Sequence, residues 1–578
     1  GAINANSPAI TTVDNATLSG NVTIPKDALV VGQNRLSVEV HQQFSGGLSS
    51  DIVFGASLDI TSSTVSETSF LKSNEEWIEL YNQGTSTVDM SGWSLGDAID
   101  YNFPVGTTIG PGEYLVVAKD AATLALSHPA IDIIGDFSRR LSNSHDRIEL
   151  RDAHENPADV VEYYDGGRWP EFAAGGGSSL ELRDPRSDNS KAEAWSASDE
   201  TGQSVWNNYT IRQTASADTG PSPTWKEFQL GLLDAGEVLI DAISVVRDPG
   251  GEETQILQNG SFEADALGSS PDTWRIVGNH SGTVVVDPDN PANRVLHLVA
   301  SGATLHLDNH AETTFVGNEG VINGTEYEIR YRAKWLTGSP QLNTRFYVNR
   351  VAATTILEVP QKNGTPGTEN SAFQTNVGPT YGEFRHSPLV PAAGESVTVT
   401  TTADDPDGIQ SLTLWWSAAG GAWQSTSMAQ GKDNQYIGTL PGQTSATIVQ
   451  FYVAGQDGSG ATSTFPAAGR DSRALYKVQD GQGTTNPVDT LRIVMTAADS
   501  SALFEPSQLM GNAFRGGTLI HNNSEVFYDI GIRLKGSAAG RTSGDVNPGS
   551  YRIKFHPDHK FRGVHQAIAL DGSGRSQF

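Results

Sequence analysis

Apolar and polar residues alternate in short runs along most of this chain, and few stretches repeat with the 3.6-residue period of a helix. "NRLSVEVHQ", "DIVFGASLDI", "EVLIDAISVV" and "ESVTVTTTAD" each read as a strand with one buried face. In "EVLIDAISVV" the alternation predicts Val238, Ile240 and Ala242 on one face and Leu239, Asp241 and Ile243 on the other. Glycine and proline clusters such as "DDPDG" and "GPGE" punctuate the runs as turns. This pattern predicts an all-β protein of tandem β-sandwiches, jelly-roll and immunoglobulin-like, with a small α+β part at the C-terminal end. That part opens on a strand at Leu491–Met495, followed by a short helix capped by Ser500.

A length of 578 residues exceeds what one core fills, since cores stop growing near roughly 250–300 residues. Breaks in the pattern place units at 1–62, 63–210, 211–362, 378–480 and 488–578, with linkers around "GPTYGEFRHSPLVP" and "KVQDGQGTTNP".

Composition narrows the function. Without cysteine the chain has neither disulfides nor a thiolate metal site. A net charge of −29 argues against a nucleic-acid partner and fits a surface kept soluble in salty surroundings. The charge is uneven: residues 485–578 carry ten Lys and Arg against eight Asp and Glu. No apolar run approaches the roughly 18 residues of a membrane span. The start "GAINANSPAITT" lacks the basic and apolar regions of a leader, so a leader or longer N-terminal part is expected to have been removed.

Several ordered motifs resemble known families. Residues 1–62 resemble the closing strands of a galactose-binding-like jelly roll, on an Ile-Pro, a Gly-Gln-Asn turn and a Val-Glu-Val-His strand. "EWIELYNQGTSTVDMSGWSLGD", "FPVGTTIGPGEYLVVAKD", "RLSNSHDRIELRD" and "GGGSSLELRDPRSDNS" resemble the lamin-tail domain, an immunoglobulin-like sandwich, in which Trp77, Trp93 and Trp169 read as core plugs. "NGSFEADALGSSPDTW", "NRVLHLVAS" and "EYEIRYRAKWL" resemble a carbohydrate-binding jelly roll. Residues 378–480 resemble a bacterial immunoglobulin- or fibronectin-like domain. "GIRLKG", "RIKF" and "FRG" resemble the N-terminal part of a CotH-type spore-coat kinase-like domain, whose metal-binding and catalytic acids lie in a later lobe.

These resemblances imply candidate sites. The kinase-like motifs place Lys554, and next Lys535, toward nucleotide phosphate, with ATP and Mg²⁺ expected only in a longer chain. A strand lysine is also an ordinary solvated edge charge. The jelly-roll resemblance implies Ca²⁺ at Asp241 and Glu263. Saccharide recognition needs flat aromatic faces and planar polar groups; Trp274, Trp335, Arg345 and Tyr347 have those types, and core or rim is their ordinary role. Asp404, Asp405 and Asp407 in "DDPDG" could hold Ca²⁺ at a domain junction, against the plainer reading of a turn. The same choice applies to Asp184, Asp188 and Asn189 in "RDPRSDNS", and to His306, Asp308 and His310, whose spacing puts them on one strand face.

The expectation is therefore a bacterial secreted or cell-surface modular protein for adhesion or polysaccharide binding. Its expected partners are extracellular polysaccharide or neighbouring surface proteins, with homo-oligomer or fibre assembly open. The alternatives are an exported CotH-like kinase whose catalytic lobe lies beyond this chain, and a structural subunit of a fibre or surface layer. No catalytic residue is assigned within 1–578.

Overall fold

The computed structural model describes residues 74–571, apart from 174, 216–225, 307, 348–349, 361, 482–488, 506–507, 537–540 and 542–549. The expectation for residues 1–62 lies outside the described residues. The fold is all-β: antiparallel sheets dominate, and the α-helices described are the short Ala121–Ser127 and Ala497–Leu503.

The first sandwich pairs a three-stranded sheet, ordered Trp77–Tyr81, Tyr114–Ala118, Ile133–Gly135, with a five-stranded one. The latter is ordered Pro157–Tyr164, His145–Arg151, Ser94–Asp97, Ile99–Asn102, Ser138–Arg139. Leu95, Ile99, Phe103, Val117 and Phe137 fill the space between them. Trp169 is buried, as its plug role requires, and Trp77 and Trp93 pack against the cores from the edge.

The second sandwich stacks a six-stranded sheet on a five-stranded one. The first runs Asn207–Thr214, Glu326–Gly338, Gly236–Arg247, Asn290–Ala300, His280–Asp287, with the short Thr254–Gln255 attached to its third strand. The second runs Trp274–Val277, His310–Thr314, Glu227–Leu232, Gln341–Phe346, Ala352–Ile356. Alternation in Gln341–Phe346 matches burial residue by residue. In Gly236–Arg247 it does not. The register slips between Asp241 and Ser244, where Ala242 takes a φ of 51°. This bulge turns Ala242 outward and brings Ile243 and Val245 into the core beside Val238 and Ile240, which corrects the strict alternation expected there.

The third sandwich has a four-stranded sheet, ordered Thr380–Ser387, Val397–Asp404, Gln435–Leu440, Ala429–Gln430. Opposite it lies a sheet ordered Gln424–Ser427, Ile409–Ala418, Ile448–Asp457, Thr462–Phe465, with Leu475–Lys477 added along Ile448–Asp457. The C-terminal unit is a meander of Leu491–Val494, Arg515–His521, Glu525–Leu534, Tyr551–Lys554 and Ala567–Leu570, with helix Ala497–Leu503 packed on it. The helix begins earlier than expected: Thr496, not Ser500, is the N-cap, its hydroxyl accepting the Asp499 N–H at 3.1 Å.

The segment between the second and third sandwiches is held rather than free. Glu181 accepts the Thr365 hydroxyl at 2.7 Å, the Ser371 hydroxyl at 2.8 Å and the Ala372 N–H at 2.9 Å. Glu200 accepts the Gly364 N–H at 2.9 Å and Glu79 the Gly367 N–H at 2.5 Å. Burial, and secondarily the charge of Glu181, push the Glu79 carboxyl up to about 7 against the pull of the Gly367 N–H. A carboxyl raised in this way favours the fold most below its ordinary pKa, and that contribution is lost as pH climbs through about 7. Glu79→Gln is therefore expected to add on the order of 2 kcal/mol at pH 8, allowing for solvent screening, and little at pH 4. Urea denaturation at the two pH values measures it; an equal effect at both would exclude the titration.

Candidate functional site

The doublet Trp415–Trp416 ends the alternating run Leu412–Trp416, so one indole faces the core and the other does not. Leu412, Leu414 and Trp416 point inward. Thr413 and Trp415 point outward and remain half-exposed. Trp415 is in register with Tyr452 on the neighbouring strand, and their rings lie parallel, 5° apart in plane, with centroids 6.3 Å apart. The turn after Ala418 brings a third ring to the same face: Trp423 meets Tyr452 edge-on at 5.2 Å. Gly420 takes a φ of 71° in that turn, and the Ser417 hydroxyl donates to the Gly421 carbonyl at 2.7 Å, fixing its return.

Arg470 lies over both indoles, its guanidinium carbon 5.6 Å from the Trp415 ring and 5.8 Å from the Trp423 ring. Its backbone is anchored by the Gln450 side-chain amide, which donates to the carbonyls of Arg470 at 2.8 Å and Ser472 at 2.6 Å. The result is a rigid, partly open aromatic surface with a guanidinium at its rim. Flat π-faces accept C–H groups, and the guanidinium offers donors to hydroxyls.

The aromatic residues expected for this role are elsewhere. Trp274 is 8% exposed, wedged between Phe228 and Phe262, and its indole N–H donates to the Asn259 carbonyl at 2.9 Å. Trp335 is 1% exposed, with its N–H on the Gly338 carbonyl. Both are core plugs with no face to offer. Arg345 lies on the outward face of the five-stranded sheet of the second sandwich, where it donates to the Gln229 side chain at 2.8 Å. Gln229 donates onward to Glu312, and Glu312 is ion-paired with Arg275. Burial holds Arg345 below its usual range and pushes the half-buried Tyr347 up.

The acidic candidates regroup. Asp241 accepts from Arg332 at 2.9 Å and Asn293 at 3.1 Å, while Glu263 accepts the Arg294 N–H at 3.2 Å, so the two carboxylates have separate protein partners. Asp404 turns to Asn434. Asp405 and Asp407 converge instead with Asp457, about fifty residues on in "AGQDGSG", with one carboxylate oxygen of each within 4.8 Å of the others. Asp457 is fully buried; it accepts N–H groups of Ser459 and Ala461 and the Asn376 amide. From the region after the first sandwich, Arg186 reaches Asp407 at 3.0 Å and Asp184 at 3.1 Å, so it spans a domain junction. Burial pushes the Asp405 carboxyl up; the Asp407 N–H and Arg186 oppose this, and the neighbouring carboxylates add to it.

Asp184 and Asp188 close local turns, with N–H groups of Arg186 and Ser190 on their carboxylates, and Asn189 binds Asp159. His310 is paired with Glu312 at 2.7 Å and His306 lies 3.6 Å from Asp308. Lys554 is exposed opposite Gly531, and the Lys535 N–H continues the ladder to the Ser550 carbonyl.

Arg186→Ala leaves the Asp184 and Asp407 carboxylates without their ion-pair partner and removes the cation that opposes repulsion at Asp405. We expect the variant to lose about 1–3 kcal/mol at pH 7 and less toward pH 4, as Asp405, whose carboxyl burial raises, takes up a proton. Thermal unfolding across that range measures it, and a pH-independent loss would exclude charge relief as the role of Arg186.

The architecture and the surface together define a modular all-β protein of tandem sandwiches. Within it, residues 56–165 match the family model of the Lamin Tail Domain, as the motifs of the first sandwich imply. No curated protein matches the chain significantly. Among solved structures, a bromine derivative of BhCBM56 is 10% identical, with 17% of this chain and 99% of that one covered and a TM-score of 0.12. A putative membrane anchored protein from Corynebacterium diphtheriae is 11% identical over 62% of this chain and 67% of that one, with a TM-score of 0.15. A pullulanase from Bacillus acidopullulyticus is 10% identical over 49% of this chain and 36% of that one, with a TM-score of 0.12. Among the described residues, no helix is long and apolar enough to cross a membrane.

Proposed function

We propose that this chain is an extracellular or cell-surface adhesion module that binds polysaccharide through the Trp415, Tyr452 and Trp423 face. One observation carries the reading: the partly exposed rings of Trp415 and Trp423 flank the buried Tyr452 ring on the outward side of the sheet, with Arg470 at the rim, on a sandwich whose core is already filled by other side chains. A protein that needed the Trp415 and Trp423 indoles only for packing would place them inward, as it places Trp416. The lamin-tail sandwich and the captured segment at 364–372 then serve as a rigid arm that presents this surface. Adsorption of the whole chain to a panel of insoluble polysaccharides tests the reading. Saturable retention, reversed by soluble oligosaccharide of the same sugar, is expected; no retention on any of a broad panel would end it.

Ca²⁺ belongs to the same proposal as a brace for the junction. Asp405, Asp407 and Asp457 are the oxygen donors a hard cation would take, at the place where Arg186 supplies positive charge. Ca²⁺ raising the melting temperature of Arg186→Ala, and not that of Asp407→Ala, is the expected result; no response in either would exclude the brace.

A further inference from the structure

The aromatic surface lies on a stretch of sheet that carries almost no charge. Residues 408–431, 434–456 and 458–469 contain no Asp, Glu, Lys or Arg, in a chain with 67 acidic and 38 basic side chains. They supply all of the strands Gln424–Ser427, Ile409–Ala418 and Thr462–Phe465, and all of Ile448–Asp457 but its last residue. Asp457 is turned to the domain junction, where its carboxylate accepts from Ser459, Ala461 and Asn376.

Register sets which side chains share the face of Trp415. Ser425 and Tyr452 stand opposite Trp415, Ser427 and Ala454 opposite Thr413, Thr464 opposite Ala454, and Gln456 opposite Ser411. Cross-strand partners point to the same side of a sheet. A band of hydroxyl and amide groups therefore continues from the rings along the strands, with Ser411, Ser425 and Ser427 exposed. Arg470, also exposed, closes the other end of the band. Its carbonyl is held by Gln450, which pairs with Ser417, past Trp415 on the side away from Thr413. Its guanidinium stands over both indoles. Asp471 follows in the same turn, Gly469–Asp471, where successive side chains point apart.

A neutral glycan needs stacking faces and hydroxyl exchange, and the rings with their polar band provide both. A guanidinium adds something else: its planar fork matches a carboxylate through two parallel hydrogen bonds. The strands beneath it carry no carboxylate to compete for that fork at the rings. The acidity of the rest of the chain is screened beyond about 8 Å at physiological salt.

We propose that this surface selects an anionic polysaccharide, one whose sugar units carry a carboxylate. The chain lies along the strands from Ser411 toward Arg470, with a sugar ring on the indoles and its carboxylate on the Arg470 fork. The proposal rests on the reading of the Trp415, Tyr452 and Trp423 face as a polysaccharide surface, and adds the charge class and direction of its ligand.

Binding isotherms of the whole chain on polygalacturonate, alginate and hyaluronate, each beside its carboxyl-reduced form, test this. Reduction keeps the backbone of the polymer and removes its charge. On at least one of the three, the unaltered chain should bind the parent about tenfold or more tightly than the reduced polymer, and rising salt should erode the difference. Arg470→Gln should cancel the preference and leave binding to the reduced polymer as it was. Arg470→Lys, which keeps the charge without the fork, should recover only part of it. Equal affinity for parent and reduced polymers would overturn the proposal even if Arg470→Gln fails to fold, and so would a folded Arg470→Gln variant that keeps the preference. Binding to neutral polymers that Trp415→Ala/Trp423→Ala abolishes and Arg470→Gln leaves intact would overturn the charge class alone. No binding to any polymer, charged or neutral, would end both this proposal and the reading beneath it.

Discussion

Replacing Tyr528 with alanine will cost about 3–5 kcal/mol and let the C-terminal meander unfold apart from the third sandwich. Tyr528 belongs to the strand Glu525–Leu534, yet its ring packs on the core of the neighbouring unit, against Phe384 at 5.2 Å and Phe451 at 5.9 Å. Its hydroxyl meets Nδ1 of His386 at 2.6 Å and accepts the His386 N–H at 3.1 Å. Around it, Thr518 accepts the Leu475 N–H at 2.9 Å and donates to the Arg473 carbonyl, and Asp529 accepts the Arg473 N–H. Truncation removes the ring from this socket and leaves a buried imidazole short of a partner. Calorimetry should show one transition for the unaltered chain in this region and two for Tyr528→Ala. Tyr528→Phe, which keeps the ring, should cost only about 1–2 kcal/mol. An alanine variant as stable as the phenylalanine one would show that the socket does not join the units.

The same joint is expected to weaken in acid. Burial drives the His386 imidazole down to about 4, so it is neutral in the fold and charged more readily when unfolded. The unfolded chain then binds more protons between the ordinary histidine value and about 4, and stability falls as pH drops through that window. The loss should reach about 3 kcal/mol below it.

Much of the fold was legible in the sequence because its signals are local. Val397–Asp404 alternates residue by residue as written, and the lamin-tail motifs stand in order along the first sandwich. The bulge at Ala242 was not legible: it needs the Gly260 carbonyl, which accepts the Ile243 N–H from across the fold. For Trp274 and Trp335 the sequence leaves core plug and saccharide platform both open, because a tryptophan in a turn or strand looks the same whether its N–H meets a carbonyl or water; burial decides for the core. Asp457 could not be joined to Asp405 and Asp407 without the pairing of Ile409–Ala418 with Ile448–Asp457. One signal is local: an alternating run that contains a tryptophan doublet must turn one ring away from the core.

The largest expected effect on function is the loss of polysaccharide binding when the outward rings are truncated. Trp415 and Trp423 supply most of the flat area of the surface, and Tyr452, 6% exposed, lies lower between them. Aromatic anchors at the centre of an interface commonly carry about 2 kcal/mol or more each, which is about thirtyfold in affinity. Neither ring belongs to the core cluster of the third sandwich, so the double variant should fold with a melting temperature close to that of the unaltered chain. Trp274→Phe serves as the matched control, because it alters a core plug of the second sandwich and leaves the surface intact. The decisive measurement is the binding isotherm of Trp415→Ala/Trp423→Ala on the polysaccharide that retains the unaltered chain. Retention abolished in the double variant and kept in Trp274→Phe is the predicted result. Unchanged retention in a folded double variant would contradict the assignment of this face as the binding surface.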